Sequence, residues 1–285
     1  MTGASGQLGS ALKEIQPRWA EVHLLPKTLL DITDRLAVNR TVNVISPDWI
    51  VNAAGYTAVD RAESERDQAF NVNAVGATNI AEIASKKRVK MIQVSTDYIF
   101  DGQSSKPYEI NDTPNPINVY GESKLAGERQ TKDIMGDNLL ILRTAWIYSK
   151  KGPSFLTSMR RLLSERRELK VINDQFGTPT RAKNLAKAVF VAIQKDVMGV
   201  HHWTDDGVTN WYEFACAIRA DMLKNGLLKK AATIEATPSS MFPTPAKRPS
   251  YSVLDTIHTR AILDITGKHW RDSLAEEIVN TEVGK

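Results

Sequence analysis

Short apolar, β-rich runs alternate with longer helical patterns through the first half of the chain, and this alternation restricts the fold more than any other feature. Val22–Leu25, Trp49–Ala53, Met91–Ser95 and Leu139–Thr144 read as strands. Between them lie helical stretches from Leu8 to Ile15, from Arg66 to Lys86 and from Val119 to Lys132. Buried strands separated by helices call for a parallel sheet with helices on both faces. The expected fold class is α/β, a Rossmann-type doubly wound parallel sheet.

After Tyr148 the texture changes. A helix from Phe155, a short strand near Val171, a helix over Leu185–Gln194 and another over Trp211–Lys224 are expected. The segment Pro238–Pro249 carries four prolines and no helical period, so it reads as an extended surface loop. A helix around Trp270–Val279 closes the chain. With 285 residues, the chain is long for one core.

The run Thr2-Gly3-Ala4-Ser5-Gly6-Gln7-Leu8-Gly9 spaces three glycines as G-x-x-G-x-x-G at the entry to a helix. Glycines let the backbone approach a pyrophosphate, and the free amides and positive dipole end of the helix hold its charge. Such a run is weak in isolation and gains weight from the alternation that follows. A strand should precede it, yet only Met1 and Thr2 do. Met1 is therefore read as a residue within the first strand, with a few upstream residues lying outside this sequence. Lys27, after the second expected strand, suits the 2′-phosphate of NADPH, whereas Asp31 suits the ribose hydroxyls of NADH. The expected organisation is a dinucleotide-binding domain over residues 1–150 and a smaller, mainly substrate-binding α/β lobe over 151–285. The chain is expected to re-enter the first domain around 168–200.

Apolar and charged fractions of 42% and 25% describe an ordinary globular protein. No run of about eighteen apolar residues exists to span a bilayer, and no secretion signal opens the chain. The single cysteine, Cys216, reads as a buried helix residue and fits a reducing, cytoplasmic setting. A net charge of +4 decides little. The basic cluster Arg160, Arg161, Arg166, Arg167 and Lys170 reads as a solvated helix face, so no nucleic acid and no membrane partner is expected.

The strongest chemical signal is Tyr120-Gly121-Glu122-Ser123-Lys124. On a helix, Tyr120 and Lys124 point the same way, one turn apart. A neighbouring ammonium is expected to pull the phenol down toward the neutral range, where it transfers a proton more readily. The pair alone is commonplace on helix surfaces. However, the strand ending in Ser95-Thr96-Asp97-Tyr98 places hydroxyls at the C-terminal edge of the sheet, where open α/β folds bind ligands. A hydroxyl donor and a tyrosine together can grip a carbonyl oxygen and stabilise its developing charge.

Taken in order with Asn52-Ala53-Ala54-Gly55-Tyr56-Thr57-Ala58-Val59-Asp60, Ser95 to Gly102, Arg143-Thr144-Ala145-Trp146, Asn173 to Thr180 and Arg248-Pro249, these motifs resemble the dTDP-4-dehydrorhamnose reductases, a family of extended short-chain dehydrogenases/reductases. The likeness covers nearly the whole chain. It implies reduction of the C4 ketone of dTDP-4-dehydro-6-deoxy-L-mannose to dTDP-L-rhamnose, with NADPH as hydride source and NADH as second candidate. By the same resemblance Tyr120 is the proton donor, Lys124 tunes it and holds the ribose, and Thr96 bonds the substrate oxygen. Gly3, Gly6, Gln7, Leu8, Ala53, Ala54 and Tyr56 lie along the cofactor. Asp97, Tyr98, Trp146 and Arg248 lie toward the sugar nucleotide, Trp146 offering a flat face to the sugar and Arg248 a fork to the diphosphate.

Some members dimerise around a divalent ion held by a glutamate in the first helix. Ala11 stands there, so no metal is expected and the oligomeric state is monomer or homodimer. His201 and His202 are read as structural. A 4,6-dehydratase would need an acid where Tyr98 stands. Another nucleotide-sugar reductase, an epimerase or a non-catalytic regulatory subunit of the same fold remain as alternatives.

Overall fold

In the computed structural model, which describes residues 1–279, the central sheet has four parallel strands. Their order is Trp49–Asn52, Lys90–Thr96, Leu139–Thr144, Gly199–His202. Alternate residues along each strand feed two cores, as a pleated sheet buried on both faces requires. Val51, Ile92, Leu140 and Leu142 meet Leu8 and Leu12 of helix Gln7–Glu14 and Leu185 and Val189 of helix Ala182–Gln194. Ile50, Met91, Leu139 and Ile141 face the opposite way, onto Val38 of helix Arg35–Ile45 and Ile80 and Ile83 of helix Ala77–Lys87. Full burial of each such side chain contributes roughly 1.5–3 kcal/mol. These two cores fix the strand ends that open onto the site.

A further core gathers Leu156 and Leu163 of helix Phe155–Glu165, Phe214 and Ile218 of helix Trp211–Lys224, and Trp270 and Leu274 of helix Trp270–Val279. Strand Glu168–Ile172, which pairs in parallel with Thr233–Thr237, lies against it. Cys216 is half-buried rather than fully buried. The described residues contain no helix long and apolar enough to cross a membrane.

Two elements differ from their sequence patterns. The strand expected at Val22–Leu25 does not form, and only Leu25 makes a β-bridge, to Thr2, which also bridges Asn52. A strand exists through its ladder, and here Met1 and Thr2 supply partners to His23 and Leu25 alone. A cavity of about 420 Å³ lies alongside, lined by Val22, Leu30, Val38, Val42, Ile50 and Phe190 among others. The helix expected over Arg66–Lys86 is broken into Arg66–Phe70, a π-helical segment Asn71–Gly76, and Ala77–Lys87. The wider turn brings Asn73 inside, where it is 2% exposed. Helix Val119–Met135 presses on it so closely that a Cβ on Gly127 would lie 2.1 Å from the Asn73 carbonyl oxygen.

Candidate active site

The C-terminal ends of the central strands open onto a cleft of about 430 Å³. One wall is the glycine loop, with Gly3, Gly6, Gln7 and Leu8 facing Ala53 and Ala54. Gly3 has φ +66°, and an added Cβ would lie 2.6 Å from the Ala53 carbonyl and the Ala54 nitrogen. Loop and strand end thus meet backbone to backbone. The following helix has Gly6 as N-cap and no side-chain cap, leaving its first-turn amides for a ligand. The Gln7 side-chain amide donates to Ile147 O at 3.2 Å and Pro153 O at 2.8 Å, tying this wall to the opposite one. Gln7 Oε1, Ser95 Oγ and Thr144 Oγ1 are buried without hydrogen-bond partners, and all three residues line the cleft. Buried polar atoms are ordinarily satisfied, so these three present the cleft with groups that a polar ligand or solvent would satisfy.

Helix Val119–Met135 delivers Tyr120 and Lys124 to the same cleft. Its N-cap, Asn118, accepts from Gly121 N at 2.8 Å. Lys124 Nζ donates to Val94 O at 2.6 Å, anchoring the ammonium beside the strand that ends at Thr96. Thr96 Oγ1 donates to Asp97 Oδ1 at 3.0 Å and accepts from Tyr98 N at 3.2 Å. The Ser252 hydroxyl approaches the Asp97 carboxyl without completing a hydrogen bond to Oδ2. Tyr98 meets Tyr120 edge-on, ring centroids 5.8 Å apart.

Burial pushes the Tyr120 phenol up to about 12; the Thr96 hydroxyl opposes this shift and Asp97 adds to it. Burial lowers the Lys124 ammonium to about 8, with Glu128 one turn along the helix working against it. It also raises Asp97 to about 6, opposed by Ser252 and Thr96. The expected downward pull of Lys124 on Tyr120 is absent: the ammonium is committed to Val94 O, and the charge that reaches the phenol is that of Asp97. Tyr120 is therefore a protonated acid at neutral pH, the state a proton donor needs.

Residues 1–283 match the RmlD substrate-binding domain. The chain belongs to the RmlD substrate-binding family. It is 43% identical over 231 residues to the dTDP-4-dehydrorhamnose reductase of Escherichia coli (strain K12), a match spanning 79% of this chain and 77% of that protein. It is 36% identical over 279 residues to the spore coat polysaccharide biosynthesis protein SpsK of Bacillus subtilis (strain 168), spanning 97% and 95%. The crystal structure of dTDP-4-dehydrorhamnose reductase from Bacillus anthracis str. Ames in complex with NADP superposes with a TM-score of 0.92 at 35% identity, covering 98% of both chains. The UDP-glucose 4-epimerase of Thermus thermophilus shares the fold, with a TM-score of 0.80 at 16% identity over 100% of this chain and 98% of that one.

In this RmlD-family chain, the glycine loop, Ala53, Ala54, Thr96, Asp97, Tyr120, Lys124 and Trp146 line one cleft. Other expected site residues do not. Lys27 is exposed and stands 3.9 Å from Asp31, whose Oδ1 is taken by the backbone and hydroxyl of Thr33; neither residue lines the cleft. Tyr56 turns its hydroxyl onto Glu65 at 2.7 Å instead of along the cleft. Tyr98 lies behind Tyr120. Trp146, at φ +46°, stacks on Trp211 with centroids 3.6 Å apart, so the flat face expected for a sugar is occupied on that side. Arg248 lines a neighbouring hollow of about 640 Å³ and is forked onto Asp60, so its guanidinium is already paired.

Sequence reasoning missed Asn73, which accepts from Tyr56 N at 2.8 Å and donates to Tyr56 O at 3.0 Å and Ser123 Oγ at 2.9 Å. It thereby joins the loop after the first full strand to the helix of Tyr120 and Lys124. Its one signal was a polar residue within an alanine-rich helical run. Since Lys124 loses its proton near pH 8, kcat/KM is expected to fall as pH rises through about 8. A profile still flat well above that value would show that the ammonium is not required.

Proposed function

We propose that this chain is an NADPH-dependent dTDP-4-dehydrorhamnose reductase that converts the C4 ketone of dTDP-4-dehydro-6-deoxy-L-mannose to the alcohol of dTDP-L-rhamnose. The observation that carries this reading is the convergence of Thr96, Tyr120 and Lys124 with the glycine loop in one cleft of an RmlD-family chain. Bound NADPH supplies the hydride. Gly3, Gly6, Gln7, Leu8, Ala53 and Ala54 would hold it, with the uncapped helix start available to its phosphates. The Thr96 and Tyr120 hydroxyls grip the carbonyl oxygen, and the phenol proton passes to that oxygen as negative charge develops. Lys124, which rests on Val94 O in the free protein, would hold the ribose of the bound cofactor and offer its positive charge to the phenolate once that has formed. Across the Trp146–Trp211 stack, the hollow edged by Phe155, Lys170, Lys247 and Arg248 suits the nucleotide end of the substrate.

In this reading residues 1–150 bind the dinucleotide and 151–285 mainly bind substrate. Helix Ala182–Gln194 and strand Gly199–His202 return to the first core, which supports re-entry around 168–200. The enzyme works in the cytoplasm as a monomer or homodimer, with a small-molecule substrate and without metal. The test is NADPH oxidation by the purified protein with and without enzymatically generated dTDP-4-dehydro-L-rhamnose. Saturable, sugar-dependent oxidation is expected, faster with NADPH than with NADH. Oxidation that does not depend on the sugar would refute the reading.

A further inference from the structure

The segment that walls the second hollow, residues 242–248, has little structure of its own; a single 3-10 turn at Ser239–Met241 precedes it. Side chains of the first lobe hold it in place. Asp60, in the short helix Val59–Ala62, takes both arms of Arg248, Nη1 at 3.0 Å and Nη2 at 2.7 Å, and its Oδ1 also accepts from Ala246 N at 3.3 Å. Asn118 donates to Lys247 O at 2.8 Å with the same amide whose oxygen caps the Tyr120 helix. Glu63, beside Asp60, accepts from Val119 N at 2.9 Å. Arg248 Nη1 also bonds Thr244 Oγ1 at 2.7 Å, which folds the wall onto itself. A carboxylate forked to a guanidinium is among the stronger and more directional polar contacts. The wall of the substrate hollow and the start of the catalytic helix are thus bolted to one acidic bracket.

We propose that Asp60 is a positioning residue for the sugar nucleotide: by clasping Ala246 and Arg248 it holds the hollow's wall against the helix that carries Tyr120, and so sets substrate affinity without touching substrate. This rests on the reductase reading given above. Asp60 is half-exposed and lies outside both the cleft and the hollow, so its effect must pass through the wall. With Asp60→Asn the charge-assisted fork is lost while the shape is kept. KM for the sugar nucleotide is expected to rise about tenfold, with kcat changed by less than about threefold. NADPH affinity should be unchanged, because the glycine loop is untouched.

Asp60→Glu, which restores the carboxylate, should recover most of the lost affinity. In the free protein, the amide hydrogens of Thr244, Ala246, Lys247 and Arg248 should exchange faster in Asp60→Asn than in the wild type, a measurement that needs no substrate. Unchanged exchange, or faster exchange with an unchanged KM, would overturn the proposal. A wild-type protein without sugar-dependent oxidation would instead count against the reductase reading, and the exchange comparison would still decide whether Asp60 holds the wall.

Discussion

Tyr120→Phe is expected to lower kcat by roughly a hundredfold or more, the range that loss of a positioned general acid produces. The side chain is half-buried, protonated at neutral pH and set beside Thr96 at the strand end. Phenylalanine keeps the ring and its edge-on contact with Tyr98, so the packing around position 120 should survive. Only the proton and one hydrogen bond to the developing oxyanion are removed. NADPH binding, measured by quenching or enhancement of its fluorescence, should stay within about twofold of wild type, because the loss is confined to the transition state. Turnover close to wild type would move the acid elsewhere, and Asp97, raised to about 6 in the same cleft, would be the next residue to test.

What the sequence revealed, and what it hid, follows from the range of the interactions concerned. Tyr120 and Lys124 were legible because one helical turn separates them and helical geometry alone aligns their side chains. Thr96 was legible as the last residue of a buried parallel strand, the edge where such sheets bind ligands. The fork between Asp60 and Arg248 was not, because its partners are 188 residues apart and nothing local distinguishes a paired arginine from a free one. The same holds for Trp146, just past the strand Leu139–Thr144, whose stacking partner Trp211 opens a helix far along the chain. The π-helical turn at Asn71–Gly76 leaves no break in apolar spacing, so a continuous helix was the natural reading. The tuning of Tyr120 was misjudged for a further reason: spacing places the Lys124 backbone, but the carbonyl of Val94, on another element, decides where the ammonium points.

Gly3→Ala should have the largest effect on cofactor binding, for two separable reasons. Gly3 sits at φ +66°, where an L-residue is strained by about 1–2 kcal/mol. The added methyl would also stand 2.6 Å from three backbone atoms of Ala53 and Ala54, none of which can swing aside as a side chain could. The loop must retreat from the strand end, and the amides at the helix start retreat with it. NADPH affinity is therefore expected to fall by at least about tenfold, since misplaced donors forfeit the charge-assisted bonds that hold a pyrophosphate. Gly226→Ala separates the two causes, because Gly226 has φ +71° with no atom within 4 Å of its would-be Cβ, and it lies outside the cleft. That variant should lose some thermal stability and retain NADPH affinity. If Gly3→Ala bound NADPH as tightly as Gly226→Ala, the close approach of loop and strand would not be what shapes the phosphate site, and the glycine run would lose its assigned role.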